Sequence, residues 1–375
     1  MSNKNLIICL HPYSNKGGAT NKIIQLLNKI DNKRFKIVYV YLKKNAKLKL
    51  NSNIKIIKLK NQRTLFSFFE IKKILSFFDK KKFRKKIFIS NQNYSNILAF
   101  FLLKDLKNYK SILIERNHLD ELYYYESLKD FFKKFFIKVL MKLTYKYSYK
   151  LIGNTKKLSK DLSSFVSKKV HTIYSPTNFK QLIQMSKDYK PRDVLSDKSK
   201  IRLLSVSRFT KRKDLITLLK AFNIINRNHQ NIELILIGYG SDLNRIKEYI
   251  LRHNLKDKIF LISYKDNPYP YFLISDLYIM PSLYEGCPNS IIEATALNLP
   301  VISSNCNTGP SEILLNGKGG FIFKKKNHLQ LASKIELFTK NKKIFMKKML
   351  IAKKNIFRFD EKRILKEYMN ILREI

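Results

Sequence analysis

The sequence predicts an α/β protein built from two doubly wound parallel-sheet domains. Three observations carry that expectation. Apolar runs of strand length alternate with segments of helical periodicity along almost the whole chain. The first turn holds a glycine pair, as first turns of doubly wound sheets do. A polar, mixed-charge stretch around Pro191 interrupts the alternation, and 375 residues are enough for a core on each side of it. The expected division is a domain over 1–180, a linker over 181–199, a domain over 200–355 and a closing helix over 356–375.

In the first half, Asn5 to Leu10 reads as a strand, followed by a loop with Gly17 and Gly18, a helix from Ala19 to Lys29 and a second strand from Phe35 to Leu42. The loop lacks the full G-x-G-x-x-G spacing, but two glycines let backbone approach a phosphate or sugar closely. Further strands are expected at Ile54–Leu59, Ile87–Ser90, Ser111–Glu115, Tyr149–Asn154 and Val170–Tyr174, with helices at Thr64–Phe78, Asn96–Leu106, Leu128–Tyr149 and Thr155–Val166. Arg116 and His118 follow the Ser111–Glu115 strand, where residues of a parallel sheet face a ligand crevice. His118 is the stronger acceptor-side candidate, and Arg116 a weaker one for an acceptor phosphate. The Leu128–Tyr149 helix sets Phe131, Phe132, Phe135, Phe136, Val139, Leu140 and Leu143 against a lysine-covered face. That pattern fits either a helix docked on its own sheet or one lying on an anionic bilayer.

In the second half, the strand Ile201–Ser207 leads into Arg208-Phe209-Thr210-Lys211-Arg212-Lys213 and a helix from Leu215 to Asn226. Arg208 and Lys213 are placed to meet two phosphates and to stabilise charge on a leaving group. Strands follow at Ile232–Ile237, ending in Gly238-Tyr239-Gly240, and at Lys258–Ile262. After a short helix over Pro270–Ser275, the strand Leu277–Met280 runs into the loop Pro281 to Pro288 and a helix from Asn289. A helix N-terminus there directs backbone N–H groups and a positive dipole end at an anion. Glu285 sits on the loop, and Glu293 eight residues on, inside the helix; carboxylates in these places can accept hydrogen bonds from ligand hydroxyls. Strands Leu299–Ser304 and Phe321–Phe323 follow, then helical pattern over Leu329–Phe338 and Lys342–Ile375.

Composition narrows the rest. Three cysteines, Cys9, Cys287 and Cys306, suggest neither a disulfide framework nor a zinc site. No apolar run reaches the roughly 18–20 residues of a membrane span, and residues 6–10 are too short for a signal sequence. A cytoplasmic protein is expected, peripheral at most on the inner face of a membrane. A net charge of +47 attracts anionic surfaces. It also keeps open a nucleic-acid-binding protein, although the cations are spread along the chain and no nucleic-acid module is visible.

The segment Pro281 to Ala294 resembles the E-x7-E signature of the retaining GT-B glycosyltransferases, glycosyltransferase family 4 or group 1. The resemblance extends to the Arg208/Lys213 pair, to Gly238-Tyr239-Gly240, to the segment Asn305–Leu314 and to the glycines of the first loop. Ser207 departs from the glycine common there. The family implies a GT-B fold, two Rossmann-like domains facing a central cleft, with the acceptor on the first domain and a nucleoside diphosphate sugar on the second. It implies donor binding by Gly17, Gly18, Gly286, Cys287, Pro288, Asn289, Ser290 and Glu293. Catalysis would fall to Glu285, Arg208, Lys213 and His118, with no metal or other cofactor. A UDP-linked hexose or N-acetylhexosamine is the expected donor, and a lipid-linked glycan or surface polysaccharide the acceptor, with an anionic membrane surface as a further partner and no specific nucleic acid. A nucleotide-sugar epimerase is the same-fold rival. Glu285→Ala and Lys213→Ala are expected to abolish transfer and leave the fold intact.

Overall fold

A computed structural model describes residues 4–11, 18–42, 49–61, 63–194, 197, 199–306 and 308–375. The chain divides into two compact units, Met1–Pro176 with Glu361–Ile375, and Thr177–Asp360.

The first unit holds a sheet of seven strands: β1 Asn5–His11, β2 Phe35–Tyr41, β3 Lys55–Lys58, β4 Lys86–Asn91, β5 Tyr109–Glu115, β6 Lys150–Gly153 and β7 His171–Thr172. Their order is β3-β2-β1-β4-β5-β6-β7, with every pairing parallel. The order reverses direction between β1 and β4, where Cys9 lies opposite Ile89. The helices are α1 Gly18–Lys29, α2 Phe68–Asp79, α3 Asn93–Leu103, α4 Leu128–Thr144 and α5 Lys156–Val166. Alternate strand residues, among them Leu6, Ile8, Val38, Phe88 and Leu113, pack on Leu75 and Phe78 of α2, Leu98 and Leu102 of α3, and Ile137 and Met141 of α4. Strands buried on both faces read as unbroken apolar runs, which is why the sequence marks them so clearly.

The second unit opens with α6 Phe179–Met185 and holds six strands: β8 Ile201–Val206, β9 Ile232–Ile237, β10 Ile259–Ile262, β11 Leu277–Met280, β12 Val301–Ser304 and β13 Phe321–Phe323. Their order is β10-β9-β8-β11-β12-β13, again parallel throughout. The helices are α7 Leu215–Asn228, α8 Leu243–Arg252, α9 Tyr269–Leu273, α10 Asn289–Ala296, α11 Gly309–Ile313, α12 His328–Lys340 and α13 Lys342–Asn355. The core joins Leu203, Leu234, Ile279 and Ile302 of the sheet to Leu218 and Phe222 of α7 and Leu331 and Ile335 of α12. The last helix, α14 Glu361–Glu374, belongs to the first unit, where Tyr149 Oη donates to the Glu374 carbonyl at 3.1 Å.

Several elements differ from the sequence reading. The helix expected over 96–106 starts at Asn93 and stops at Leu103, because Gln92 takes a turn conformation with φ 70° immediately after β4. The strand expected over Val170–Tyr174 shrinks to His171–Thr172 at the sheet edge, where β6 alone pairs with it. The helix expected to reach Tyr149 ends at Thr144 and passes into a 3₁₀ turn over Tyr145–Tyr147. The stretch read as a linker carries α6, capped by Asn178, whose Oδ1 accepts from the Gln181 N–H at 3.0 Å. The helical pattern over Lys342–Ile375 breaks at a 3₁₀ turn, Ile356–Phe359, because both end residues are buried and Asp360 is extended.

On α4 the inward stripe is narrow. Ile137, Met141 and Thr144 are buried, whereas Leu128, Phe132, Phe135, Phe136 and Leu143 are exposed. Docking on the sheet therefore accounts for only part of the apolar pattern. Among the described residues no helix is long and apolar enough to cross a membrane.

Candidate active site

The second sheet changes direction between β8 and β11. Ligands of doubly wound sheets bind beyond the carboxyl ends of the strands at such a reversal. Arg208 and Lys213 follow β8, and Glu285 follows β11, so topology alone brings them to that edge. The Leu283 N–H donates to the Arg212 carbonyl at 2.8 Å, which ties the turn after β8 to the loop after β11. Gly238 and Gly240 make room for the same turn. A Cβ on Gly238 would lie 1.8 Å from the Ser207 carbonyl oxygen, and one on Gly240 2.1 Å from that of Phe209. Both take φ +155°, outside the range side chains favour.

Lys213 Nζ donates to Glu285 Oε1, and Glu285 is only 8% exposed. Burial pushes the Glu285 carboxyl upward, but Lys213 and Arg212 outweigh it and hold the group below its ordinary value. Burial, Arg212 and Arg208 lower the Lys213 ammonium against the opposing pull of Glu285. A buried pair of this kind leaves a strongly unfavourable bare charge when one member is removed. The expectation that Glu285→Ala leaves the fold untouched therefore needs correcting: the structure makes Glu285 a stabilising partner as well as a candidate ligand-binding group. Arg208 is exposed on the loop, and its charge reaches Lys213.

α10 starts at Asn289 behind Pro288, and no side chain caps its first turn. The Ile291 N–H donates to the Pro288 carbonyl at 3.3 Å, and the N–H groups ahead of it are those that a helix start offers to water or a ligand. Gly286 and Pro288 are buried, whereas Cys287, Asn289 and Ser290 are half-buried along the same edge. Glu293 accepts from Tyr269 Oη at 3.2 Å, and its negative charge, with burial, raises the Tyr269 phenol. Burial raises the Tyr278 phenol, and the charges of Glu293 and Glu285 add to it. The loop is braced from behind by Thr308, whose hydroxyl donates to the Glu285 carbonyl, and by Gly309, where a Cβ would stand 2.0 Å from the Gly286 carbonyl oxygen.

The remaining predicted residues lie on the first unit. Gly18 is the first residue of α1, and Gly17 lies outside the described residues. His118 caps the 3₁₀ turn Leu119–Tyr123, with Nε2 3.0 Å from Asp161 Oδ2 and Nδ1 3.1 Å from Asp120 Oδ1. The Asp120 N–H also points at Nδ1 at 3.2 Å, so Nδ1 accepts in one protonation state and donates in the other. Burial lowers the His118 imidazolium, but Asp120 and Asp161 outweigh it and the group titrates above its ordinary value.

Sequence reasoning missed Arg212, Tyr269 and Thr308. Arg212 lies between two residues that were singled out and could have been read from its place in the turn. Tyr269 opens α9 and Thr308 precedes α11, and neither carries a spacing signal.

Residues 186–356 match the family Glycosyl transferases group 1, so the second unit carries a domain of that group. The chain is 33% identical over 148 residues to the uncharacterized glycosyltransferase MJ1059 of Methanocaldococcus jannaschii, covering 40% of this chain and 36% of that one. It is 23% identical over 220 residues to the N-acetylgalactosamine-N,N'-diacetylbacillosaminyl-diphospho-undecaprenol 4-alpha-N-acetylgalactosaminyltransferase of Campylobacter jejuni, covering 59% of this chain and 58% of that one. The chain thus spans only about a third to three-fifths of the length of these two relatives. The fold matches the crystal structure of Anabaena Alr3699/HepE in complex with UDP, with a TM-score of 0.78, 15% identity, and coverage of 99% of this chain and 100% of that one. The fold class is GT-B, two parallel-sheet α/β units in one chain. The group 1 domain and the glycosyltransferase relatives support a transferase.

Proposed function

We propose that this chain is a retaining glycosyltransferase. It moves a hexose or N-acetylhexosamine from a UDP-linked donor to a lipid-linked glycan or surface polysaccharide acceptor. The observation that carries the reading is the buried Lys213–Glu285 pair beside Arg208, on a group 1 domain. The UDP bound in the HepE structure and the diphospho-undecaprenol acceptor in the Campylobacter relative's name support the donor and acceptor classes.

Arg208, Lys213 and the first turn of α10 receive the donor diphosphate and stabilise the charge that grows on it as the glycosidic bond breaks. In the resting protein Lys213 compensates Glu285. With donor bound, its ammonium is shared between carboxylate and phosphate, and Glu285, kept ionised, accepts hydrogen bonds from sugar hydroxyls. Glu293 accepts from the ribose hydroxyls, on the loop edge built by Gly286, Cys287, Pro288, Asn289 and Ser290. The acceptor is held by the first unit, and Gly17 and Gly18 are assigned to donor binding by the family resemblance. His118 fixes the Leu119–Tyr123 turn there through Asp120 and Asp161. Transfer proceeds on one face of the sugar, with the leaving phosphate accepting the acceptor's proton, and needs no metal, since these cations supply the positive charge.

The protein works in the cytoplasm, peripherally on an anionic membrane. The exposed Phe132, Phe135, Phe136 and Leu143 of α4, beside its lysines, suit that surface.

The test is transfer by purified protein from a panel of UDP- and GDP-sugars to a lipid-diphosphate glycan, with the product anomer read by NMR. The expected result is product from a UDP-sugar with the anomeric configuration kept, and none from Glu285→Gln. An inverted product contradicts retention. Turnover by Glu285→Gln at the wild-type rate contradicts the site.

A further inference from the structure

The proposed donor chemistry leaves unused the reversal point of the first sheet, between β1 and β4. β1 ends at His11 and β4 at Asn91, and Arg116 directly follows β5. The Arg116 side chain, on a residue 7% exposed, donates from Nε to Asn91 Oδ1 at 2.8 Å and from Nη1 to Ser175 Oγ at 3.5 Å. Both partners are neutral. Among the described residues no carboxylate forms an ion pair with Arg116. Its charge instead reaches Cys9, His11 and Tyr368. Burial, with Arg116 adding to it, lowers His11 to about 3, so that imidazole is neutral too. The nearest carboxyl, Glu115, accepts from the Arg116 backbone N–H at 3.0 Å rather than from the guanidinium, and burial raises it to about 7. A buried guanidinium whose own hydrogen bonds go to neutral groups is unfavourable without a counter-charge.

A second observation points to the same place. Because Asn91 Oδ1 accepts from Arg116, the orientation of its amide is fixed and Nδ2 is the donor end. Asn91 is 0% exposed, and among the described residues its Nδ2 has no hydrogen-bond partner. An orphaned buried donor beside an uncompensated guanidinium is a pair of groups prepared for an oxyanion. The next residue, Gln92, is held at φ 70° and ψ 159°, a region almost confined to glycine, and such strain gathers at ligand sites.

We propose that Arg116 and the Asn91 amide form an oxyanion subsite on the first unit that holds a phosphoryl group of the acceptor, namely the diphosphate of a lipid-linked glycan. The inference rests on the acceptor reading above. A lipid diphosphate is favoured over a phosphodiester polymer because the same unit exposes the aromatic and basic face of α4.

The experiment uses the full chain with UDP in excess, so that the donor site is occupied. Inorganic pyrophosphate is titrated calorimetrically at moderate salt into wild type, Arg116→Met, Arg116→Lys and Asn91→Leu. Loss of one charge-assisted hydrogen-bonding partner predicts binding weaker by about 10- to 100-fold in Arg116→Met, with partial recovery in Arg116→Lys. UDP affinity should be unchanged. With a short-chain lipid-diphosphate glycan, the acceptor KM should rise by a similar factor while kcat holds, a split that a purely structural clamp does not produce. Pyrophosphate binding equal in wild type and Arg116→Met, with UDP still bound, overturns the subsite and leaves the donor reading standing. Failure of wild type to bind UDP strikes at the donor reading instead. If a poly(glycerol phosphate) acceptor depends on Arg116 and the lipid diphosphate does not, the assignment to a lipid acceptor is overturned.

Discussion

The two sheets reverse their strand order in the same way, between β1 and β4 in one unit and between β8 and β11 in the other. Their carboxyl edges carry opposite electrostatic arrangements. In the second unit a mostly buried ammonium meets a buried carboxylate, Lys213 with Glu285, and the pair is neutralised internally. In the first unit the side-chain hydrogen bonds of a buried guanidinium go, among the described residues, to an amide oxygen and a hydroxyl. The same backbone therefore supports two modes of anion recognition. On the proposed reading, one exchanges an internal partner for the ligand, and the other receives its counter-charge from the ligand.

The comparison breaks most visibly at Glu285. Removing it leaves a buried ammonium unpaired, so Glu285→Ala should lose transfer and about 3–5 kcal/mol of stability in urea unfolding. A Lys213→Met/Glu285→Leu double variant should recover most of the stability and none of the activity. Wild-type stability in the single variant would show that the pair is not buried in solution.

A second buried pair, Arg202–Glu233 at 3.0 Å, bridges the amino ends of β8 and β9. Arg202→Met should cost a similar amount, about 3–5 kcal/mol, and leave UDP affinity unchanged. An altered UDP affinity in that variant, once folded, would erase the distinction between the two ends of the sheet. Gly240→Ala tests the turn that carries Arg208. It should lose about 1–3 kcal/mol from backbone conformation alone, more from the clash at Phe209, and weaken UDP binding as the turn shifts.

Arg208 is exposed and bears no buried partner's charge, so Arg208→Ala should change stability by less than about 0.5 kcal/mol. The smallest effect expected is a pH slope. His118 titrates above its ordinary value of roughly 6.5 because Asp120 and Asp161 outweigh its burial. Its stabilisation is full below that ordinary value and is lost as pH rises through the folded one. Stability should therefore fall more steeply with rising pH in wild type than in Asp161→Asn, measured as thermal midpoints from just below the ordinary value to about two units above it.

The strand pattern and the order of loops were legible because parallel strands buried on both faces are unbroken apolar runs, such as Ile232–Ile237. The sequence placed Arg208 and Lys213 after the carboxyl end of one strand and Glu285 and Glu293 after that of another; the strand order that joins the two ends is seen in the structure. The burial of the Lys213–Glu285 pair was not legible, since two residues 72 apart in sequence meet through the β8–β11 pairing and the Leu283 to Arg212 backbone bond. The end of α4 at Thr144 was hidden because Tyr145–Tyr147 continue the apolar and basic pattern in a 3₁₀ turn. Asn91 was invisible as a candidate, because an asparagine at a strand end looks like any turn residue until its amide is seen against Arg116.

The most direct test of the donor site is calorimetric titration of the full chain with UDP and GDP at moderate salt, for wild type and Arg208→Ala. The account predicts saturable binding of UDP to wild type, and binding about 10- to 100-fold weaker in Arg208→Ala. No binding of either nucleotide, with tight salt-sensitive binding to DNA in its place, would contradict it.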